Sequence, residues 1–394
     1  MNTFGAIIVA MLLSLAAARA EDAHAAPEPH QLVRRLQSLQ DEIARGNLDA
    51  HNAQPALLKR LGEKFHEADP AVWNEARNGR AVVTFLLSGG APQVVRDLRA
   101  RVKLNIDEAI LDGALAYVEG RSDEAKARLA DVNVRTLPPT FGAQIALVQS
   151  ALVAQSDPKQ TIERLDEARL LLPGTLVEEA ALRREIFVTG QVDDFDKFES
   201  LAIQYFRRYR HSIYSGNFRQ RFALAVARFS FAQQTHRFAR LVAILEHLDR
   251  ASQRTLYLLI ARTALVHGKI DMADLSAERA ETLAEAGSTE QERARLYRAS
   301  VRALRKSNEE AVSDLKKIDK GRLPQRDAEL LAAALTVGGN VRRALPSVSA
   351  PPDTAADDQT AVRPRIDFGT SLATLDQAEQ LLKESDAQLK ETNR

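Results

Sequence analysis

Cysteine is absent from the 394-residue chain. That excludes disulfides, thiol nucleophiles, thiolate zinc or iron–sulfur sites and lipid attachment through a thiol. Helix breakers are scarce. The 18 glycines and 14 prolines make about 8% of the chain, against roughly 12% in an average soluble protein. Aromatic residues are 5%, which argues against a strand-rich fold. An excess of one charge is missing too. The 54 Lys and Arg face 53 Asp and Glu, a net charge of +1. A balanced chain has no bulk attraction for nucleic acid or anionic lipid. The eight histidines form neither HExxH nor HxxxH, and no G-x-S-x-G, GxxxxGK[ST] or GxGxxG occurs. No catalytic, cofactor or metal-binding residues are therefore expected, and the chain reads as a non-enzyme.

The start of the chain has the pattern of an export signal. Residues 4–18, FGAIIVAMLLSLAAA, carry no charge and are followed by Ala18-Arg19-Ala20. An apolar core ending in small-x-small marks a cleavable secretory signal. A membrane-spanning helix needs about 20 apolar residues, more than this run offers. Cleavage is expected after Ala20, which removes only one charged side chain, Arg19, and leaves no net charge. The remainder is expected to be periplasmic, without direct membrane insertion.

Five regions follow from the pattern: a signal peptide 1–20, a leader 21–29, a helical-repeat domain 30–345, a disordered linker 346–370 and an amphipathic helix 371–394. Helix is predicted from about His30, with Leu32, Leu36, Leu39 and Ile43 on one face and Gly46 closing it. A second helix is predicted near Pro55–Lys64. Trp73, the only tryptophan, lies in a third stretch and reads as core.

From Gly90 the chain repeats. Helix–turn–helix breaks fall near Gly90, Gly120, Gln155, Gly190, Gln234, Gly268 and Lys306, at spacings of 30, 35, 35, 44, 34 and 38. A period near 34 is that of tetratricopeptide-type helical hairpins. Small residues are needed where the two helices cross. Five residues after the last six breaks stand Ala125, Gln160, Phe195, Ala239, Ala273 and Ala311. Seven before them stand Gly113, Val148, Arg183, Ala227, Ala261 and Ala299. Four of six are Gly or Ala at each offset, and the breaks at Gln155 and Gly190 fail on both sides. Pro138, Pro173 and Pro324 stand eighteen residues after three breaks, where a proline would end the second helix. The expected fold is all-α, a tetratricopeptide-like α-solenoid of hairpins with a long groove.

The linker is rich in Pro, Ala, Asp and Thr. In the tail, Leu375, Leu382 and Leu389 repeat every seven residues. That stripe could dock on its own solenoid, pair with a second copy or take a partner.

The most distinctive cluster is Phe206-Arg207-Arg208-Tyr209-Arg210-His211-Ser212-Ile213-Tyr214, continued by Phe218, Arg219, Arg221 and Phe222. Two readings stand open. The aromatics could pack a hairpin junction with arginine stems covering them. Alternatively, Arg207, Arg208, Arg210 and Tyr214 could form a basic surface for an acidic protein segment.

Two strings resemble the periplasmic motility protein family MotC. They are Pro173-Gly-Thr-Leu-Val-Glu-Glu-Ala-Ala-Leu-Arg-Arg184 and Tyr205-Phe-Arg-Arg-Tyr-Arg-His-Ser-Ile-Tyr-Ser-Gly-Asn-Phe218. Gln31-Leu-Val-Arg-Arg-Leu-Gln-Ser-Leu-Gln-Asp41, Ser88-Gly-Gly90 and Leu259-Ile-Ala-Arg262 add to them, over about residues 29–345. The resemblance implies an exported, non-enzymatic protein required for flagellar rotation. It also implies action with the periplasmic part of the MotB stator subunit and an influence on energy coupling. No catalytic residues come with it. The alternative is a general periplasmic adaptor for envelope assembly or secretion. A peptidoglycan-cleaving enzyme is a third reading, for which Glu199-Ser200 is the candidate start, set inside a predicted repeat helix.

Overall fold

The computed structural model describes residues 27–229, 235–305 and 309–343. The expected signal peptide, most of the leader, the linker and the C-terminal helix lie outside the described residues. The chain divides into units 1–344 and 345–394, and everything described belongs to the first.

Among the described residues are seventeen α-helices and no strand. They run as α1 (Pro29–Ala44), α2 (Leu48–Glu67), α3 (Ala76–Leu87), α4 (Pro92–Arg101), α5 (Glu108–Val118) and α6 (Ser122–Leu129). Then come α7 (Pro139–Val153), α8 (Pro158–Leu171), α9 (Leu176–Thr189), α10 (Phe195–Arg208), α11 (Ser215–Arg228) and α12 (Thr235–Leu245). The last are α13 (Arg250–Val266), α14 (Ile270–Leu283), α15 (Thr289–Arg305), α16 (Glu309–Lys316) and α17 (Gln325–Arg343). Adjacent helices pack as hairpins, so the fold is a tetratricopeptide-like solenoid.

Local chemistry sets the helix starts. Asn47, Asp107, Asp157, Asp194 and Asp249 each accept a hydrogen bond from the first turn of the helix they precede. Such caps satisfy one of the orphan N–H groups at a helix start. The second helix begins seven residues earlier than Pro55, which lies inside α2. Pro138 caps α7 and Pro324 precedes α17, so these prolines start the next hairpin rather than ending the previous one. Trp73 sits in a 3-10 turn, 1% exposed and edge-on to Phe65 at 5.5 Å.

The predicted breaks near Gly90, Gly120, Gln155, Gly190 and Gly268 fall in turns between the two helices of a hairpin. Those near Gln234 and Lys306 lie outside the described residues. The crossing register needs correction. The third residue after the first one of each second helix is buried: Val95, Ala125, Thr161, Phe198 and Ala273. The turn has three residues in α5–α6 and α13–α14, four in α3–α4 and α7–α8, and five in α9–α10. A fixed offset from the break therefore slips to Gln160 and Phe195 where the turn lengthens. Ala239 also departs from the register: it is exposed, while Arg237 and Leu241 on α12 turn inward.

Odd-numbered helices form the inner layer. α3 packs on α1, α5 and α7; α9 packs on α7 and α11; α13, α15 and α17 follow. Two contacts break the sequential order: α3 reaches α7 past α5, and α1 packs back against α9. Ile213 N–H donates to the Ile43 carbonyl at 3.5 Å beside that contact. The first half of the chain thus closes into a ring. Two apolar cores result. One runs from Val33 to Ala181, the other from Leu182 to Leu331 with Ala44 added. They divide within α9, whose neighbouring residues Ala181 and Leu182 face opposite cores.

Candidate functional site at the junction of α9 and α10

α9 has a core on either side, so it shows no single apolar stripe. It buries three carboxylates, Glu178, Glu179 and Glu185, each no more than 1% exposed. Burying a charge is costly unless it is paired and hydrogen-bonded. The partners come mainly from α10. Tyr209 Oη donates to Glu178 Oε2 at 2.5 Å, and Arg208 donates to Glu178 Oε1 at 2.8 Å. Gln204 and the Gly174 N–H also donate to Glu178. Tyr205 Oη donates to Glu179 Oε1 at 2.9 Å. Burial pushes the Glu179 carboxyl above its ordinary range, against the pull of Arg183. Burial and the facing carboxylates push both tyrosine hydroxyls upward as well.

Glu185 faces a different set. Lys197 Nζ lies 3.1 Å from its Oε1 and Arg169 Nε 3.3 Å from its Oε2. These are ion pairs without hydrogen-bond alignment, since both carboxylate oxygens lack a hydrogen-bond partner. Asp166 shares the same two cations. Burial, with the Asp166 charge added, raises the Glu185 carboxyl to about 7. Burial opposes the Asp166 charge too, but Lys197 and Arg169 outweigh it and hold its carboxyl below the ordinary range.

The aromatic part of the cluster packs the junction. Tyr205 stacks on Phe218 with centroids 3.5 Å apart and planes at 3°. Phe206 and Phe222 are buried beside them. The four basic-surface candidates separate. Arg208 is tied to Glu178, with its side chain 51% exposed. Tyr214 is half-buried, 4.5 Å beneath the Arg183 guanidinium and edge-on to His51. Arg207 and Arg210 are exposed. Arg210 Nε donates to His211 Nε2 at 2.9 Å, whereas Arg207 makes no ion pair among the described residues. Buried Glu178, Glu179 and Glu185 were not singled out from sequence as site residues, because acidic pairs on helices ordinarily face water.

Glu199 lies within α10, ion-paired to Arg240 of α12, and Ser200 donates to the Asp196 carbonyl at 3.0 Å. Among the described residues no group of three or more acids and histidines is placed to hold a metal ion. No helix among them is long and apolar enough to cross a membrane.

These features define a helical-repeat protein whose most elaborate chemistry is an internal ionic junction. The family described as chemotaxis protein MotC matches residues 1–394. A chemotaxis protein MotC of Rhizobium meliloti (strain 1021) is 31% identical over 318 residues, 80% of this chain and 72% of that protein. The chain belongs to the MotC family and is a motility- and chemotaxis-associated protein. The family is one of motility proteins, not a known enzyme family. No solved structure matches.

Proposed function

We propose that the chain is a non-enzymatic periplasmic scaffold required for flagellar rotation. In this reading it binds the periplasmic part of the MotB stator subunit and influences energy coupling. Membership of the MotC family carries the proposal. The signal-like residues 4–18 support export. The exposed Arg207 and Arg210, at the end of α10 and just beyond it, supply the contact surface. Arg208 serves the fold by pairing with Glu178, and Tyr214 packs beneath Arg183. Rim charges of this kind steer association and act mainly on the on-rate.

The test is capture of the periplasmic part of MotB by the purified chain, with Arg207→Glu/Arg210→Glu as the variant. The expected result is slower association in the double variant at unchanged melting temperature. Gene deletion is expected to leave flagella in place but stop swimming. Normal swimming after deletion would overturn the reading. Capture of envelope-assembly or secretion components in place of a stator protein would favour a general adaptor.

A further inference from the structure

Residues of α1, α3, α5, α7 and α9, with Tyr214, line a partly open cavity of about 180 Å³. Its wall is unlike the rest of the core. Apolar surface comes from Leu147 and Val148 on α7 and Val177 and Ala180 on α9. Set into it are Arg184 and Gln144, at helix positions that share the faces of those residues. Tyr214 closes one side beneath Arg183.

Two observations point to a missing partner. Gln144 is 7% exposed, yet its amide oxygen is buried with no hydrogen-bond partner and its side chain makes no hydrogen bond among the described residues. A buried amide oxygen left unsatisfied destabilises the chain. Arg184 is the second. Its neighbour Arg183 lies 3.6 Å from Glu179, and Arg169 on α8 pairs with Asp166 and Glu185. Arg184 is half-buried and pairs with none among the described residues. Its one bond goes from Nη1 to the Leu147 carbonyl at 3.0 Å, leaving four of its five N–H donors uncommitted. A guanidinium in a lined cavity matches a carboxylate in charge and in fork geometry, whereas the free Gln144 oxygen is an acceptor and calls for an N–H or O–H donor on the same ligand.

We propose that this cavity is a carboxylate-binding pocket, with Arg184 as the binding cation and the Gln144 oxygen as acceptor for an N–H or O–H donor that the same ligand carries. The volume suits one short apolar group bearing the acid, smaller than a drug-sized site of roughly 300 Å³ or more. The carboxylate could belong to a free small acid or to the C-terminal residue of a peptide. The pocket stands independently of the motility reading, since it uses none of the exposed residues of α10.

Calorimetric titration of the purified chain separates the sources. Three probes are used: succinate, acetyl-Ala-Ala-Leu with a free carboxyl terminus, and the same peptide as its C-terminal amide. Binding of the free-acid peptide but not its amide assigns the pocket to a peptide C-terminus. Binding of succinate assigns it to a small acid. Either result supports the pocket if Arg184→Gln weakens affinity about tenfold or more, which is 1.4 kcal/mol or more. Arg184→Lys keeps the charge and is expected to retain part of the affinity, which guards against a misfolded Gln variant. Failure of every probe at millimolar concentration overturns the proposal. So does equal binding of the amide, or undiminished binding by a folded Arg184→Gln variant.

Discussion

Tyr209 gives its hydroxyl proton to Glu178 across the junction of α9 and α10, at 2.5 Å, with both side chains buried. The tyrosine belongs to one of the two strings most like the MotC family and the glutamate to the other. A second bridge, Tyr205 to Glu179, joins the same strings at 2.9 Å. The two strings are therefore the halves of one contact.

Tyr209→Phe and Tyr205→Phe should each destabilise the chain by roughly 1.5–3 kcal/mol, the usual worth of a hydrogen bond to a charged group. Urea unfolding measures it. A change below experimental error in both variants would mean the bridges contribute nothing to stability.

Glu185 should make stability depend on pH. Its carboxyl titrates at about 7 in the fold against an ordinary 4.5. The folded chain then holds the proton more tightly than the unfolded chain. Its stabilising effect is complete below about pH 4.5 and is lost as pH rises through about 7, a span of ~3 kcal/mol. Asp166 and Arg169 on α8 and Lys197 on α10 face it and would remain. The melting temperature of Glu185→Gln, relative to the parent, should rise between about pH 5 and 8. A flat difference would contradict this.

Gly46→Ala should loosen the ring. Gly46 has φ +101°, a left-handed conformation, and a Cβ there would clash with the His211 carbonyl oxygen. The expected cost is roughly 1–3 kcal/mol. Hydrogen exchange should speed up in α1 and near His211 but not in α13–α17. Uniform acceleration along the chain would show that the closure is not a local contact.

Ala273→Phe should destabilise by about 1–3 kcal/mol through overpacking. The α13–α14 turn has three residues, and its crossing carries Ala273. The five-residue turn of α9–α10 carries Phe198 at the matching place. Thermal melts compare the variant with the parent, and an unchanged melting temperature would refute the link between turn length and side-chain size.

Asp327→Ala should release α17. Asp327, 1% exposed, accepts from Arg293 at 2.6 Å and from Tyr297 at 2.8 Å, and pairs with Arg262 at 3.3 Å. Breaking a buried ionic group from one side costs about 3–5 kcal/mol. Faster hydrogen exchange in α15 and α17, with α1–α8 unchanged, is the expected pattern.

Turns were readable in the sequence because glycine and polar residues interrupt helices locally. Gly120 and Gly268 mark three-residue turns, and the crossing residues Ala125 and Ala273 follow at a constant offset. The offset fails at Gln155 and Gly190 because those turns add one and two residues. α9 resisted reading for another reason. A helix buried on both sides has no periodic apolar face, so Arg183 looked like an error in the repeat. The pairing of Ile43 with Ile213 leaves no local signal at all, because it depends on the curvature summed over four hairpins. The exposed Arg207 and the committed Arg208 are adjacent and chemically identical in sequence. Only the position of Glu178 separates them.

The contact between α1 and α9 gives the two halves different mechanical characters. From α9 onward, each inner helix packs chiefly against its neighbours, so bending there spreads over many small rotations. Before α9, bending must first separate α1 from α9. A pull along the chain would therefore extend the second half as a spring while the first half moves as a block.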